Sequence, residues 1–242
     1  GYQAMGLFKD EDDIKYSPQQ TFGEVLPGDI KYKDINGDGM IDKLDMVPLT
    51  HSNYPLAMYG FGGEFRYKNL TLGMLFKGTG RTSFFYVGQP TTVNDVTKTN
   101  GMGYMPFFEG DLGNVLSMAA DPRNRWIPRD YALANGIDPT LAENPNARFP
   151  RLQYGNNSNN SQLSTFWQGN AKYIRLEEIT LNYNINPAFL KRVGVSSMDL
   201  QFVGNNLYLW DNVNTFDPEQ AAWNGRKYPI PSTYSLQVYV NF

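Results

Sequence analysis

The chain has 242 residues, with 21 Lys and Arg against 24 Asp and Glu, and its formal net charge is −3. This balance lacks the dense positive charge that nucleic acid phosphates require, so we exclude nucleic acid as a partner. The chain has no cysteine and one histidine, His51. The lack of cysteine excludes disulfides, Cys-ligated zinc and thiol nucleophiles, and a Ser-His-Asp triad could use only His51. We therefore expect no enzymatic activity.

The first clear element is a hairpin between residues 57 and 76. Apolar and small or charged residues alternate from Ala57 to Tyr67, which is typical of a strand with two different faces. The alternation restarts one residue out of phase at Leu70 and continues to Phe76. A tight turn at Lys68 and Asn69 would keep both apolar sets on one side of the sheet.

Further strands follow along the chain. We expect a short strand at 81–87, a long loop at 88–170, and a strand at 172–185 with a bulge near Glu177 and Glu178. Asn186 and Pro187 resemble a helix start, so a single helical turn should precede a strand that runs to about Trp210. The last strand, 233–242, has one apolar face, formed by Tyr234, Leu236, Val238, Val240 and Phe242.

Short and long connections alternate strictly along these strands. The connections are short at 68–69, long at 79–171, short at 186–197 and long at 211–231. A transmembrane β-barrel has this pattern, with short periplasmic turns and long extracellular loops. We therefore predict an all-β, antiparallel transmembrane barrel segment whose interior is lined in part by Glu64, Arg66, Gln237, Tyr239 and Asn241.

An acidic loop at 34–45 lies within a segment, 24–56, that the same topology places outside the cell. It matches the EF-hand loop template except that Asp replaces the final Glu. The alternate oxygens and the glycine of this template converge on one cation, so we expect structural Ca²⁺, or Mg²⁺, with ligands from Asp34, Asn36, Asp38, the Met40 carbonyl, Asp42 and Asp45. The alternative is an acidic Asn-Gly and Asp-Gly turn without a metal.

The long loop 88–170 carries aromatic residues that could contact a ligand. Trp126, Tyr154 and Trp167, together with Phe166, are weak candidates for stacking on sugars or contacting a partner, and packing within the loop is the alternative. The adjacent carboxylates Glu177 and Glu178 point to opposite faces of a strand, so they do not form a glycosidase pair.

Several motifs, taken together, resemble the C-terminal portion of SusC/RagA-type TonB-dependent outer-membrane transporters. They are GDIKYKDINGDG at 28–39, YIRLEEITL at 173–181, VGNNL at 203–207, DPE at 217–219 and YPIPSTYSL at 228–236. The resemblance covers essentially the whole chain, 1–242. We expect the signal peptide, TonB box, plug and most barrel strands of such a protein to lie upstream, so this chain would be a fragment.

The resemblance implies a barrel of about 22 strands in the outer membrane of a Gram-negative cell. It further implies import of oligosaccharides or peptides with a SusD-like surface lipoprotein and the TonB complex, and contact with outer-membrane lipid. The apolar face of 233–242 resembles the signal read by the barrel insertion machinery. The alternative is a soluble, calcium-stabilised β-sandwich that binds carbohydrate at the cell surface, which would dissolve without detergent.

Overall fold

The computed structural model describes residues 1–49, 51–52, 54–86, 90–93, 96–99, 117–153, 157–190, 194–213, 216–220 and 228–242. The chain divides into two compact units. The first is formed by residues within Gly1–Thr50 and Phe84–Gly169. The second is formed by residues within His51–Ser83, Asn170–Ala221 and Lys227–Phe242.

Strands dominate the secondary structure, and the helices are short. The strands are β1 (Ala4–Leu7), β2 (Gln19–Gln20), β3 (Ile30–Tyr32), β4 (Met40–Ile41), β5 (Ala57–Tyr67), β6 (Leu70–Gly80), β7 (Ser83–Phe85), β8 (Pro90–Val93), β9 (Val96–Thr99), β10 (Gln168–Asn170), β11 (Tyr173–Asn184), β12 (Ser197–Asp211) and β13 (Thr233–Asn241). The α-helices are α1 (Glu11–Lys15), α2 (Ser117–Ala120), α3 (Arg129–Ala134) and α4 (Pro187–Leu190), and there are 3-10 turns at Lys43–Asp45, Pro139–Leu141 and Pro218–Gln220. Within the described residues, none of the helices has the length and apolar character needed to cross a membrane.

The second unit contains one five-stranded antiparallel sheet in the order β13-β12-β11-β6-β5. The predicted hairpin is confirmed, because Tyr67 pairs with Leu70 and the turn residue Lys68 has a φ of 53°. The predicted bulge is confirmed by a register shift between Leu176 and Glu178. The helical turn α4 is also confirmed, since the Asn186 side chain accepts a hydrogen bond from the Ala188 N–H at 2.9 Å.

The register divides this sheet into two chemically different faces. One row runs Phe65, Leu72, Leu181, Phe202 and Leu236 across all five strands. The adjacent row on the other face runs Arg66, Thr71, Asn182, Gln201 and Gln237. Because the side-chain period of a strand is two, this register holds most of the large apolar residues of the five strands on one side. Met58, Leu75, Val203 and Leu209 are exceptions that lie in the opposite phase.

The apolar face is exposed rather than packed. Phe61, Phe65 and Leu236 are 54%, 66% and 72% exposed, although rings on this face contact one another, as Phe61 and Phe76 do with centroids 5.1 Å apart. A β-sandwich would cover such a face with a second sheet. Among the described residues no second sheet covers this face, so the sheet does not have the arrangement of the sandwich alternative.

The first unit has a conventional buried core. Strand β1 pairs antiparallel with β3, and β2 pairs parallel with β4. The core around these strands contains Tyr2, Leu7, Ile30, Tyr32, Ile41, Trp126, Phe149 and Trp167.

Two details of the predicted secondary structure are wrong. The strand expected at 81–87 is confined to β7, because Arg81 has a φ of 51°, which is incompatible with an extended strand. The segment 88–170, expected to be one long loop, contains β8, β9, α2, α3 and a 3-10 turn. These elements are only three to six residues long, so they leave little periodicity for sequence analysis to detect.

Candidate functional site

The acidic loop at 34–45 is organised by its own side chains. Both carboxylate oxygens of Asp34 accept backbone N–H groups, from Gly37 at 2.6 Å and Gly39 at 2.9 Å. The Asn36 Oδ1 accepts from the Asp38 N–H at 3.1 Å, and its Nδ2 donates to Asp38 Oδ2 at 2.9 Å. Gly37 and Gly39 have φ values of 77° and 84°, which only glycine adopts without strain, so the loop closes on the side chains at positions 34, 36 and 38.

Asp45 ties the end of this loop to its beginning. It is fully buried, and its carboxylate accepts from the Ile35 N–H at 2.7 Å and the Asp42 N–H at 2.9 Å. Burial alone would raise the pKa of Asp45, but the backbone donors Asp42, Ile35 and Asn36 outweigh it and lower the pKa. Asp42 in turn accepts the Leu44 N–H at 2.7 Å and caps the 3-10 turn at Lys43–Asp45.

The six residues predicted as ligands therefore lie in one closed loop. Their carboxylates are not clustered around a single point. Across the part of the chain that the structure describes, no three His, Asp or Glu side chains form a ready metal-holding group. Each carboxylate oxygen that accepts one N–H still has a lone pair for a cation. The donor set, which is carboxylate, amide and carbonyl oxygen, is the chemistry that Ca²⁺ and Mg²⁺ prefer, so these residues fit a hard cation.

A buried ion network lies on the polar face of the sheet in the second unit. The guanidinium of Arg175, only 3% exposed, binds the two oxygens of Asp217 at 2.6 and 2.5 Å and Glu219 at 3.2 Å. Glu219 also accepts from the Tyr173 hydroxyl at 2.7 Å and pairs with Lys77 at 3.1 Å. The network fastens the 3-10 turn at Pro218–Gln220 to the neighbouring strands β6 and β11.

The charge state of Glu219 follows from these contacts. Burial would raise its pKa, but the hydrogen bonds from Tyr173 and Lys77 and the charge of Arg175 outweigh burial, so the pKa lies below its usual value. Glu219 is thus ionised at neutral pH and forms ion pairs with both Arg175 and Lys77. Sequence analysis identified the DPE motif but missed this network, because nothing in the spacing of 175 and 217 indicates contact.

The structure places two of the weak aromatic candidates in 88–170 inside the protein. Trp126 is 6% exposed and Trp167 is 1% exposed, which agrees with packing within the loop, the alternative to ligand contact. Phe166 packs edge-on against Trp167 at 5.0 Å. Trp126 and Trp167 belong to the core of the first unit together with residues of β1 and β3, and Phe166 packs against that core. Tyr154 lies outside the described residues.

A buried polar network in the first unit was missed entirely by sequence analysis. Asp29 is fully buried and pairs with Arg151 at 2.8 Å. Asn160 donates to Asp29 at 2.8 Å and accepts from the Ile30 N–H at 2.8 Å, while Asn159 donates to the Ile30 carbonyl at 2.9 Å. The one indication in the sequence was an Asn-rich run near 156–160, which is typical of a loop. In the structure its side-chain amides form hydrogen bonds with the backbone of strand β3.

A polar cleft of about 260 Å³ opens beside this network. It is lined by Phe22, Glu24, Leu26, Arg151, Gln153 and Asn157, among others. Its volume is at the small end for ligand pockets, and its amide and charged groups already bond to one another, as Arg151 does to Gln153 at 2.7 Å.

The residues expected in the barrel wall lie where the alternation predicted. Tyr234, Leu236, Val238, Val240 and Phe242 are on the apolar side and are 65%, 72%, 51%, 39% and 91% exposed. The expected lumen residues Glu64, Arg66, Gln237, Tyr239 and Asn241 share the opposite face. Strands β5 and β13 are the two edges of the sheet, and each has one unpaired side.

Comparisons with known proteins agree with this architecture. No family model matches the chain. It is 27% identical over its whole length to TonB-dependent receptor P26 of Formosa agariphila, and 23% identical over 89% of its length to TonB-dependent receptor P39 of the same organism. It spans 22% and 19% of those two receptors.

Solved structures give the same fold. The RagAB peptide transporter superposes with a TM-score of 0.65 at 17% identity, and the open-open RagAB peptide importer with 0.63 at 16%. In both cases all of this chain aligns with 22% of the solved chain. These similar proteins are receptors and transporters, and none of their names describes an enzyme.

Proposed function

We propose that this chain, a C-terminal portion of a TonB-dependent transporter of the Gram-negative outer membrane, supplies part of the wall of a closed barrel of about 22 strands. The barrel imports oligosaccharides or peptides and is not itself an enzyme. Because the chain spans only 22% of a similar receptor, the remaining wall, the plug and the TonB contact belong to the rest of such a protein.

The observation that carries this proposal is the two-faced sheet with open edges. Its apolar face is exposed along five strands and has aromatic residues at both ends, with Tyr59 and Trp210 at one end and Tyr67 and Tyr183 at the other. Lipid-facing strands have such aromatic girdles where the membrane meets water. The unpaired edges β5 and β13 would be a liability in water, but barrel closure pairs both of them.

The opposite face is suited to a water-filled interior. Arg175, Asp217, Glu219 and Lys77 neutralise one another there, and polar rows continue along the strands. In the barrel these side chains line the passage, while their ion pairs hold the β12–β13 connection against the wall.

The direction of the strands supports an orientation. The turns at 68–69 and 185–196 lie at one end of the sheet, and the long connections leave from the other. We place the short turns and the C-terminus in the periplasm and the long connections outside the cell. The segments 24–56 and 88–170 are then extracellular, and there we place the contact with a SusD-like lipoprotein.

The acidic loop binds structural Ca²⁺, or Mg²⁺, in this proposal. Asp34, Asn36, Asp38, the Met40 carbonyl, Asp42 and Asp45 hold the ion, and its charge neutralises the carboxylates and stiffens the extracellular segment. The hydrogen bonds that the carboxylates of Asp34 and Asp45 accept from the loop backbone support this role, because they hold the chain in the closed conformation that such a site needs.

An uptake experiment tests the function. The gene encoding the full-length protein is deleted in its source bacterium, and uptake of fluorescent peptide and oligosaccharide pools is compared in the parent, the deletion and a complemented strain. We expect one pool to lose uptake in the deletion and to regain it on complementation, with the same loss when TonB is depleted. Unchanged uptake of both pools would refute the proposal.

A further inference from the structure

A cleft of about 400 Å³ opens on the second unit at the end of the sheet from which the long connections leave. Its lining includes Tyr59, Gly80, Lys172, Ile174, Trp210 and Asn212. The ring of Tyr59 lies across Gly78, where an added Cβ would come within 2.6 Å of the ring, and its hydroxyl donates to the Tyr173 carbonyl at 3.2 Å. The cleft is therefore walled by two aromatic rings, with Ile174 between them in the strand register.

Charged residues are absent from the apolar face within the five strands, and a lysine lies just beyond its end. In β5, β6, β11, β12 and β13, the residues that share the apolar phase include no Lys, Arg, Asp or Glu. Lys172 precedes Ile174 by two residues, so it continues the phase of Ile174 just beyond the apolar band. It is exposed, and within the described residues its ammonium group has no ion pair.

A carboxylate also lines the cleft, that of Asp211, and it already accepts a backbone hydrogen bond. Asp211 belongs to the opposite phase, since it pairs with Tyr173, and its Oδ1 accepts the Val213 N–H at 2.6 Å. Asn212, in contrast, continues the phase of Trp210 and is exposed. The rim of the cleft therefore offers an ammonium group and a carboxamide to an incoming anion.

We infer that this cleft holds a phosphorylated lipid of the outer leaflet, of the lipid A type, with its phosphate at Lys172 and an acyl chain along Ile174, Tyr59 and Trp210. An ammonium group is an effective point-charge partner for phosphate. A lysine at the end of an apolar band extends its stem along that band and places its charge among the headgroups. Aromatic rings such as those of Tyr59 and Trp210 are favoured at the depth of the lipid headgroups.

The inference rests on the outward orientation of the apolar face in the proposed function, and it adds a chemically defined lipid site to it. Lipid A is chosen over a phospholipid because the cleft lies at the end of the sheet with the long connections, which the proposal places outside the cell. The apolar walls distinguish the site from a simple phosphate site, since free phosphate would leave them uncovered.

The test uses full-length transporter in detergent, stripped of lipid, and native mass spectrometry with added lipid A, dephosphorylated lipid A or phosphatidylglycerol. Lys172→Gln removes the charge and keeps most of the side chain, while Lys172→Arg keeps the charge. Gly80→Leu adds an apolar side chain to the lining of the cleft and leaves Lys172 in the sequence. An added Cβ at Gly80 meets only the Ala57 Cβ at 3.8 Å, so this variant should fold. Lys43→Gln, on an exposed 3-10 turn of the first unit, is the matched charge control.

We expect the parent protein, Lys43→Gln and Lys172→Arg to retain lipid A more strongly than its dephosphorylated form. Lys172→Gln should weaken retention of lipid A about tenfold, equivalent to about 1.4 kcal/mol, and Gly80→Leu should weaken retention of both forms. Equal retention of the two forms by the parent, or unchanged retention by Lys172→Gln, would overturn the inference, as would preference for phosphatidylglycerol. Each of these results leaves the proposed function standing, whereas absence of the full-length protein from the outer membrane would defeat the proposed function itself.

Discussion

The orientation of the sheet can be tested by placing a charge on each of its faces. Ile179 lies on the apolar face, five residues from Ile174 and four from Tyr183, the residues of β11 that mark the two ends of that face. Asn182 lies three residues further along β11 on the polar face, between Thr71 and Gln201. Ile179→Arg and Asn182→Arg therefore introduce the same charge on opposite faces of one strand, with Asn182 closer to the end marked by Tyr183.

The expected magnitudes follow from this geometry. Nine residues separate Ile174 and Tyr183, which at about 3.4 Å per residue is roughly 31 Å along a strand. A tilt of about 40° reduces this to roughly 23 Å across the membrane, close to the height of the lipid-facing band of a barrel. Ile179 is thus near the midplane, where an arginine facing lipid costs about 2–4 kcal/mol, whereas Asn182→Arg faces water and should change stability by less than about 0.5 kcal/mol.

The assay is guanidinium unfolding of the full-length protein in phosphatidylcholine vesicles, followed by tryptophan fluorescence. The parent and the two variants are compared at matched lipid composition. Equal destabilisation by the two arginines, or a larger effect of Asn182→Arg, would refute the assignment of the apolar face to lipid.

Three further predictions concern the ion network, the acidic loop and a glycine. Arg175→Met should lower the unfolding free energy by about 3–5 kcal/mol, because it leaves two carboxylates without their buried cation, and thermal unfolding of the full-length protein measures this. Asp38→Asn should weaken Ca²⁺ binding about tenfold in calorimetric titration, since it removes one anionic oxygen from the loop. Gly28→Ala should cost about 2–5 kcal/mol in chemical unfolding, because a Cβ at its φ of +88° would lie 2.4 Å from the ring of Trp126, whereas Gly136→Ala, at a φ of +63° with open space around it, should cost about 1–2 kcal/mol.

Each of these predictions has a contrary result. A neutral Arg175→Met would mean that the network contributes no net stability. Ca²⁺ binding that is absent in the parent, or unchanged in Asp38→Asn, would count against the cation role of the loop. Similar costs for the two glycine variants would mean that the contact between Gly28 and Trp126 is not restrictive.

The sequence predicted the sheet well because its signals are local. The phase change between Tyr67 and Leu70 specified a two-residue turn, and the paired phases around Glu177 required a bulge. Both features are in the structure. The acidic loop was equally readable, because its glycines and alternating oxygens lie within twelve residues, and the backbone closes on Asp34 and Asp45.

The contacts that sequence analysis missed join residues far apart in the chain. Arg175 meets Asp217 across 42 positions, and Asp29 meets Asn160 across 131. Periodicity carries no information about such pairs. Sequence analysis left two possibilities open for Trp126 and Trp167, ligand contact and packing, for the same reason. An aromatic residue in an irregular segment is compatible with both until the core around it is known.

The sequence by itself determined the five strands of the large sheet, their faces, the turn between β5 and β6, and the alternation of short and long connections, because a strand repeats every two residues and a tight turn is encoded in its own few residues. Only the tertiary structure decided which charges are neutralised and which aromatic rings are covered. Those outcomes depend on long-range packing, which brings Lys77, Tyr173 and Glu219 together. The same packing leaves Tyr59, Lys172 and Trp210 around an open cleft.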